Sequence, residues 1–308
     1  MPSTELTSAF LKIHIMHKFD EYHPPIVVAE IGCNHMGDMS IARDLVDLAA
    51  SAKAQYAKFQ KRHPRELLTQ EQYNSPHPYQ PFSFGETYGA HREFLEFTTE
   101  QHQELMDYCQ KVGIGYSTSV WDSTSAREII GLNPDYIKVP SACNNHYEML
   151  EILRDSYQGD VHVSFGMTTR KEEKQFVNFF AENQNAHRLV LYACTSGYPV
   201  RFEDANLLEI TRLNDSFGDQ VRAIGFSGHH LGIAIDQAAF TLGATWIERH
   251  FTKDRTWKGT DHAASLEPGG LQKLVRDLTA TFKALHYKPV EILEVEKAQR
   301  DKLKYRKL

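Results

Sequence analysis

Eight short runs rich in apolar and β-branched residues recur along this chain, and each is followed by a longer stretch with helical spacing. They are IVVAEIG (26–32), AQYAKFQ (54–60), GIGYSTS (113–119), YIKVPS (136–141), DVHVSFG (160–166), LVLYACT (189–195), RAIGFSG (222–228) and TWIERHF (245–251). Strands joined through helices return in the same direction, so the sheet they build is parallel and covered on its faces. Eight such units close a (β/α)8 TIM barrel, and this α/β fold is the expectation. An open doubly wound sheet would place a GxGxxG turn after the first strand, and EIGCNHMGD lacks that spacing.

The intervening segments suit an outer helix layer. SIARDLVDLAASA (40–52) opens on a serine that can cap it and puts Ile41, Leu45, Leu48 and Ala49 on one face. EDANLLEITRLND (203–215) and GIAIDQAAFTLGA (232–244) repeat the pattern. Residues 26–285 are therefore assigned to the barrel. Residues 1–25 form an N-terminal extension in which Leu11, Ile13 and Ile15 alternate with Lys12 and His14, predicting a β-hairpin that plugs one end of the barrel. Residues 286–308 are expected to be a charged helical tail. The stretch 62–92 is a long loop with prolines and aromatic residues, and loops of that length in a compact domain usually serve as a lid or a substrate wall.

Composition narrows the partners. The chain is 41% hydrophobic and 24% charged with a net charge of −6, and this mild acidity gives no support for nucleic acid or a membrane surface as a partner. It contains no apolar run long enough to span a bilayer and no leader-like h-region, so a cytoplasmic protein is expected. Cys33, Cys109, Cys143 and Cys194 show no CxxC spacing and are expected to be reduced thiols.

Active sites of such barrels lie at the C-terminal ends of the strands, and almost every strand here ends in polar residues. In order they are Glu30 with Asn34 and His35, Lys58 with Gln60, Ser117 to Ser119 including Thr118, Lys138 with Ser141, then Ser164. Thr195, Ser196 and Tyr198 follow strand 6, Ser227 and His229 strand 7, and Glu248 and His250 strand 8, with Asp261 and His262 beyond. Lys58 and Lys138 sit inside apolar strands, where an unpaired ammonium is costly. Two lysines ringed by hydroxyls make a pocket for a phosphate or carboxylate-phosphate dianion, and a Schiff-base lysine is the competing chemistry. His229 and His250 end neighbouring strands and can share one divalent metal while leaving positions open for water and substrate. His230 is expected to point elsewhere.

The segments VVAEIGCNHMGDMSIARDLVDLAASAKAQYAKFQ, YIKVPSACNN, YACTSGYPVRFEDANL, IGFSGHHLGIA and GATWIERHFTKD with GTDHAASLEP resemble, in order and spacing, the sialic acid synthase family. That resemblance covers about residues 26–275. It implies a metal-dependent transferase that condenses phosphoenolpyruvate (PEP) with an open-chain aldose to give a nonulosonic 2-keto-3-deoxy acid and phosphate. It further implies that Lys58, Thr118, Lys138, Ser141, Ser164, Ser196, Tyr198 and Ser227 bind PEP. Glu30, Glu248 and Asp261 would meet the sugar, and His229 and His250 would hold the metal. Glu30, Lys58, Lys138 and Asp261 would be the catalytic set. The implied metal is Mn2+, with Mg2+ or Co2+ as substitutes, the implied acceptor is N-acetylmannosamine, and the implied assembly is a homodimer.

The same chemistry on mannose or a diamino-hexose derivative is the alternative within the family. A catalytically silent sugar-binding relative is a second. An amidohydrolase barrel would need an HxH pair after strand 1, where EIGCNHMG has one histidine. Four positions depart from the family pattern. Gly228 stands where an aspartate is usual, Phe165 where a threonine is usual, Ser196 where some members carry asparagine, and Cys143 at a commonly acidic position. Family members often carry a C-terminal antifreeze-like domain whose arginine reaches the N-acyl group of the sugar. The expectation here is that this domain is missing, so an arginine of the 62–92 loop replaces it or the sugar lacks that group.

Overall fold

The computed structural model describes residues 22–305, so the hairpin expected at 10–17 lies outside the described residues. Eight strands form one closed parallel barrel in chain order: β1 (Ile26–Gly32), β2 (Tyr56–Lys61), β3 (Gly115–Val120), β4 (Tyr136–Val139), β5 (Asp160–Ser164), β6 (Leu189–Cys194), β7 (Ala223–Gly228) and β8 (Trp246–His250). Closure is direct, because β8 pairs with β1 with His250 opposite Glu30. The strands match the eight runs read from the sequence to within a few residues at their ends.

The main outer helices are α1 (Met39–Ser51), α2 (Thr99–Val112), α3 (Ser123–Leu132), α4 (Tyr147–Ser156), α5 (Arg170–Ala181), α6 (Leu208–Phe217), α7 (Ala234–Thr241) and α8 (Pro268–Ala284). Their ends follow local chemistry. Thr98 with Gln101 and Thr169 with Glu172 form capping boxes on α2 and α5, and Gly113 in the left-handed conformation stops α2. On α1 the cap is Asp38 rather than the expected Ser40, because the Asp38 carboxylate accepts from the Ser40 and Ile41 amides. The buried face of α1 is Ala42, Leu45, Val46 and Ala49, so Ile41 and Leu48 flank the packing face instead of forming it. Residues Pro24–Thr279, which include the barrel strands, form one compact unit. The charged tail does form a helix, Glu294–Leu303.

Inside the barrel, register decides which side chains meet. Tyr136, Tyr192, Trp246, Val28 and Val190 form a buried floor, with Tyr56 packed against it. His162 stacks on Tyr136 at 3.8 Å, meets Trp246 edge-on at 4.5 Å and bonds the Tyr192 hydroxyl at 3.0 Å. Such large rings fit only because neighbouring strands carry glycine. A Cβ at Gly115 would lie 2.3 Å from the Tyr56 ring, and one at Gly225 would lie 2.8 Å from the Tyr192 ring. Above this floor the inward positions turn polar, and the site begins.

Candidate active site

One layer up from the aromatic floor, β2, β4 and β8 turn Lys58, Lys138 and Glu248 inward. Both lysines are almost fully buried, with 2% exposure each. Lys138 Nζ contacts both Glu248 carboxylate oxygens at 2.9 Å and lies 3.9 Å from the centre of the Tyr192 ring. Lys58 Nζ lies 2.5 Å from Glu30 Oε2 and 3.7 Å from Glu248 Oε2, and it donates to Ser119 Oγ at 2.9 Å. Ser227 Oγ donates to Glu248 Oε1 at 3.1 Å, and Gln60 Nε2 donates to Glu30 Oε1 at 2.9 Å. Two ammonium groups are thus matched by two carboxylates in one hydrogen-bonded chain.

The electrostatics follow from that pairing. Burial opposes ionisation of Glu248, but the Lys138 and Lys58 charges outweigh it and hold the carboxyl well below its usual range. Burial disfavours charge on Lys58, yet Glu248 and Glu30 together raise it above the ordinary lysine value. For Lys138 burial prevails over the attraction of Glu248, with Lys58 adding repulsion, and its value is lowered.

Above the lysines lies a cavity of about 450 Å³. Of the residues expected at the site, Glu30, Lys58, Lys138, Ser141, Ser164, Ser196, Tyr198, Ser227, His229, Glu248, His250 and Asp261 all line it. Hydroxyls crowd one wall: a Cβ on Gly166 would lie 2.3 Å from Ser196 Oγ and 2.7 Å from Ser141 Oγ, and the Gly166 amide donates to Ser141 Oγ at 3.0 Å. Glycine at 166 is what lets these two hydroxyls approach one point.

Thr118 is the exception and corrects the expectation. In β3 its register partner is Phe59, whose ring stacks on Tyr116 and meets His102 of α2 edge-on, so Thr118 faces the helix layer. Strand alternation turns Ser119 inward instead, where it lines the cavity and meets Lys58. Other polar strand-end residues serve the scaffold. Asn34 donates to Phe251 O and Ser265 Oγ, His35 stacks on Phe97 at 4.0 Å, Thr195 donates to Asp204 O, and His262 bonds Thr252.

His229 and His250 come together with ring centres 5.3 Å apart, and the Tyr198 ring lies edge-on to both. Their buried Nδ1 atoms have no hydrogen-bond partner among the described residues. Burial, with the neighbouring His250 adding to it, pushes His229 down to about 3, so its ring is neutral and able to ligate. Among the described residues no group of three or more His, Cys, Asp or Glu side chains is placed to hold a metal ion, so a cation here would depend on the two imidazoles plus water or substrate.

His230 turns away, as expected, into a buried network. Arg249 donates to Asp236 Oδ2 at 2.5 Å, to Gly232 O at 2.8 Å and to His230 O at 2.6 Å, and it lies 3.1 Å from His230 Nε2. This guanidinium sits between Glu248 and His250 in sequence and ties β8 to the segment carrying His229.

Among the cavity-lining residues not singled out by number from the sequence are Arg62, Arg92, Trp121 and Thr260. The two arginines open and close the 62–92 segment, which folds into short helices instead of an open loop. Arg62 pairs with Glu96 at 2.5 Å, donates to Gln60 Oε1 at 2.6 Å and packs 4.7 Å over Trp121. The departures at Phe165 and Cys143 do not line the cavity, and Phe165 packs edge-on against Phe176 of α5.

A family model described as the NeuB family matches residues 45–289. The N-acetylneuraminate-9-phosphate synthases of Mus musculus and Homo sapiens are each 39% identical over 287 residues, covering 91% of this chain and 77% of theirs. An N,N'-diacetyllegionaminic acid synthase of Campylobacter jejuni is 30% identical over 261 residues, covering 84% of this chain and 77% of its own. Among solved structures, the N-acetylneuraminic acid synthetase of Leptospira borgpetersenii in complex with citrate superposes with a TM-score of 0.76 at 29% identity, covering 92% of this chain and 94% of that one.

Proposed function

Because the chain belongs to the NeuB family, we propose that it is a PEP-condensing transferase that joins PEP to an open-chain aldose, with N-acetylmannosamine or its phosphate ester as acceptor. The observation that carries this reading is the buried Lys58–Lys138 pair under a hydroxyl-lined cavity at the strand ends, with two unpartnered imidazoles beside it. PEP brings a carboxylate and a phosphate, and the lysines with Ser119, Ser141, Ser164, Ser196 and Ser227 supply the matching charge and donors. The paired carboxylates keep Lys58 protonated and speak against a Schiff base there.

In the reaction C3 of PEP forms a bond to the aldehyde carbon, water adds at C2, and phosphate leaves by C–O cleavage, giving the 2-keto-3-deoxy acid. His229 and His250 would hold a divalent cation, Mn2+ by resemblance with Mg2+ or Co2+ as substitutes, and such a cation supplies Lewis-acid stabilisation as the aldehyde oxygen gains charge. Glu30 and Asp261 line the cavity, and in this reading they hold or move protons at the acceptor. Lys58 and Lys138 fix the anionic donor and stabilise charge on the departing phosphate. The homodimer belongs to the same reading and is read by light scattering.

A specific observation favours a phosphorylated acceptor over the free sugar. The two 39% relatives are named for a 9-phosphate product, whereas the legionaminic acid synthase is 30% identical. PEP contributes three carbons, so C9 of a nine-carbon product is C6 of a hexose acceptor. Phosphate release from PEP is to be measured with N-acetylmannosamine, its 6-phosphate, mannose and diamino-hexoses, with Mn2+ and with chelator. Absence of aldose-dependent release from every acceptor refutes the function, and release undiminished by chelator refutes the metal.

A further inference from the structure

Of the four lysines and arginines that line the cavity, three are paired with carboxylates. Lys58 and Lys138 are matched by Glu30 and Glu248, and Arg62 by Glu96. Arg92 lines the same cavity, and among the described residues it forms no ion pair. Its Nε and Nη2 donate to the Tyr88 hydroxyl at 3.0 and 2.6 Å, and its guanidinium carbon lies 5.0 Å from the centre of that ring. Tyr88 therefore fixes the orientation of the guanidinium and leaves Nη1 without a protein acceptor among the described residues. A planar fork held in this way with an unused edge is suited to an oxyanion.

Arg92 stands on a firm base. The helix Tyr88–Phe94 is capped by Thr87, whose side chain accepts from the Ala90 amide. Gly89 lies under Tyr73 so closely that a Cβ would come within 2.2 Å of the ring. From Arg92 a small recess leads off the main cavity, and the two share Arg92, Thr260 and Asp261. Phe84 lines that recess, and Lys258 Nζ lies 4.5 Å over its ring, which adds a second positive charge at this end. The buried His91 beside it is pushed down to about 4, first by burial and then by Arg92, His77, Arg62 and Lys258. Asp261 is the acid facing this region: burial opposes its ionisation, while His250, Thr260, Arg92 and Arg62 hold it ionised.

We propose that Arg92 is the residue that selects the acceptor, by binding a phosphate monoester on the terminal carbon of the aldose. This rests on the reading of the cavity as a PEP–aldose condensation site. The donor end is served by Lys58, Lys138 and the serines, and the acceptor end by Asp261, Thr260 and Arg92. A guanidinium with a free edge at the acceptor end fits a dianion better than a neutral N-acyl group, because its donors are charged and can pair with two oxygens at once.

The test measures kcat and KM for N-acetylmannosamine and for its 6-phosphate, at saturating PEP with Mn2+, in the full chain and in Arg92→Gln and Arg92→Lys. The expected result is a wild-type preference for the 6-phosphate that falls about ten- to a hundred-fold in Arg92→Gln, mainly through KM, with partial recovery in Arg92→Lys. A preference ratio that survives Arg92→Gln, or a rise in the KM of PEP instead of the acceptor, overturns the assignment. If the wild type turns over neither acceptor, the functional reading fails, and binding of the 6-phosphate by calorimetry then judges Arg92 separately. Binding that is lost in Arg92→Gln supports the anion site, and binding that is absent or unchanged refutes it. Thermal melts establish that both variants are folded.

Discussion

Replacing Glu248 with glutamine removes one negative charge from a buried group of four charges while keeping the shape of the side chain. In the native protein its two oxygens serve Lys138 at 2.9 Å each, and one of them lies 3.7 Å from Lys58. Glu248→Gln leaves two ammonium groups with Glu30 alone. Breaking a buried ion pair from one side costs about 3–5 kcal/mol. A second route gives the same size: if Lys138 sheds its proton instead, moving from its ordinary 10.5 to neutral at about pH 7.5 costs about 4 kcal/mol, at 1.36 kcal/mol for each of about three pH units. For a chain of 308 residues that is a fall in Tm of roughly 5–8 °C.

The second route also fixes a sign. With Lys138 neutral in the folded variant and charged when unfolded, the unfolded state binds the extra proton, so stability rises with pH until the ordinary lysine value is reached. The gap between wild type and variant should therefore narrow on raising the pH, by about 1.4 kcal/mol per unit. PEP should narrow it further, since it returns negative charge to the lysines. Differential scanning fluorimetry from neutral to alkaline pH, with and without PEP, reads all three effects. A Tm within about 2 °C of wild type would show that the lysines do not need Glu248. A gap that widens with pH would contradict the charge assignment itself.

Three further outcomes follow from the same geometry. His35 and His102 are each pushed down to about 3, with burial the main cause, so below their ordinary 6.5 the unfolded chain takes up protons that the folded chain refuses. Stability should fall on acidification from that point by up to about 1.4 kcal/mol per pH unit for each histidine; chemical denaturation of His102→Gln should show a shallower acid slope, and an unchanged slope argues against the assignment. Arg249→Leu should cost about 3–5 kcal/mol by leaving Asp236 buried and uncompensated, and Arg249→Lys should not restore it, because an ammonium cannot span the Asp236, Gly232 and His230 acceptors. Gly115→Ala should cost about 1–3 kcal/mol by pressing on Tyr56, and combining it with Tyr56→Leu should recover most of that loss in a denaturant melt; failure to recover would place the strain elsewhere.

The barrel was legible because parallel strands covered on both faces read as compact apolar runs, and eight of them with helical spacers leave few other closures. Which residue of a strand faces inward was legible only where polar and apolar side chains alternate. AKFQ in β2 shows Lys58 and Gln60 on one side and Phe59 on the other. YSTS in β3 does not, since three hydroxyl residues in a row hide the parity, and the sequence points to Thr118 where Ser119 faces the cavity. Arg62 and Arg92 lie at the ends of a segment without periodicity, so the sequence marks the segment and leaves the two side chains unassigned. Their place at the cavity comes from tertiary packing, through Trp121 for one and Tyr88 for the other.

Gly228 shows how an apparent loss at a site can be a matter of packing. From the sequence it stands beside a proposed metal ligand where an aspartate is usual, which suggests a missing carboxylate. In the fold a Cβ at this position would lie 2.7 Å from the Phe226 ring and 2.8–2.9 Å from the His230 imidazole. The space is already filled. His230 is held there by its 3.1 Å approach to Arg249 and its 3.3 Å approach to Asp236, and the same arginine grips the His230 carbonyl. An aspartate at 228 would require His230 to leave that network, so the identities of the two positions depend on each other. Negative charge near the His229–His250 pair comes instead from Glu248 and Asp261. The glycine therefore reads as the partner of an inward-packed histidine, and what it changes first is the support behind His229 rather than the number of groups that can reach the substrate.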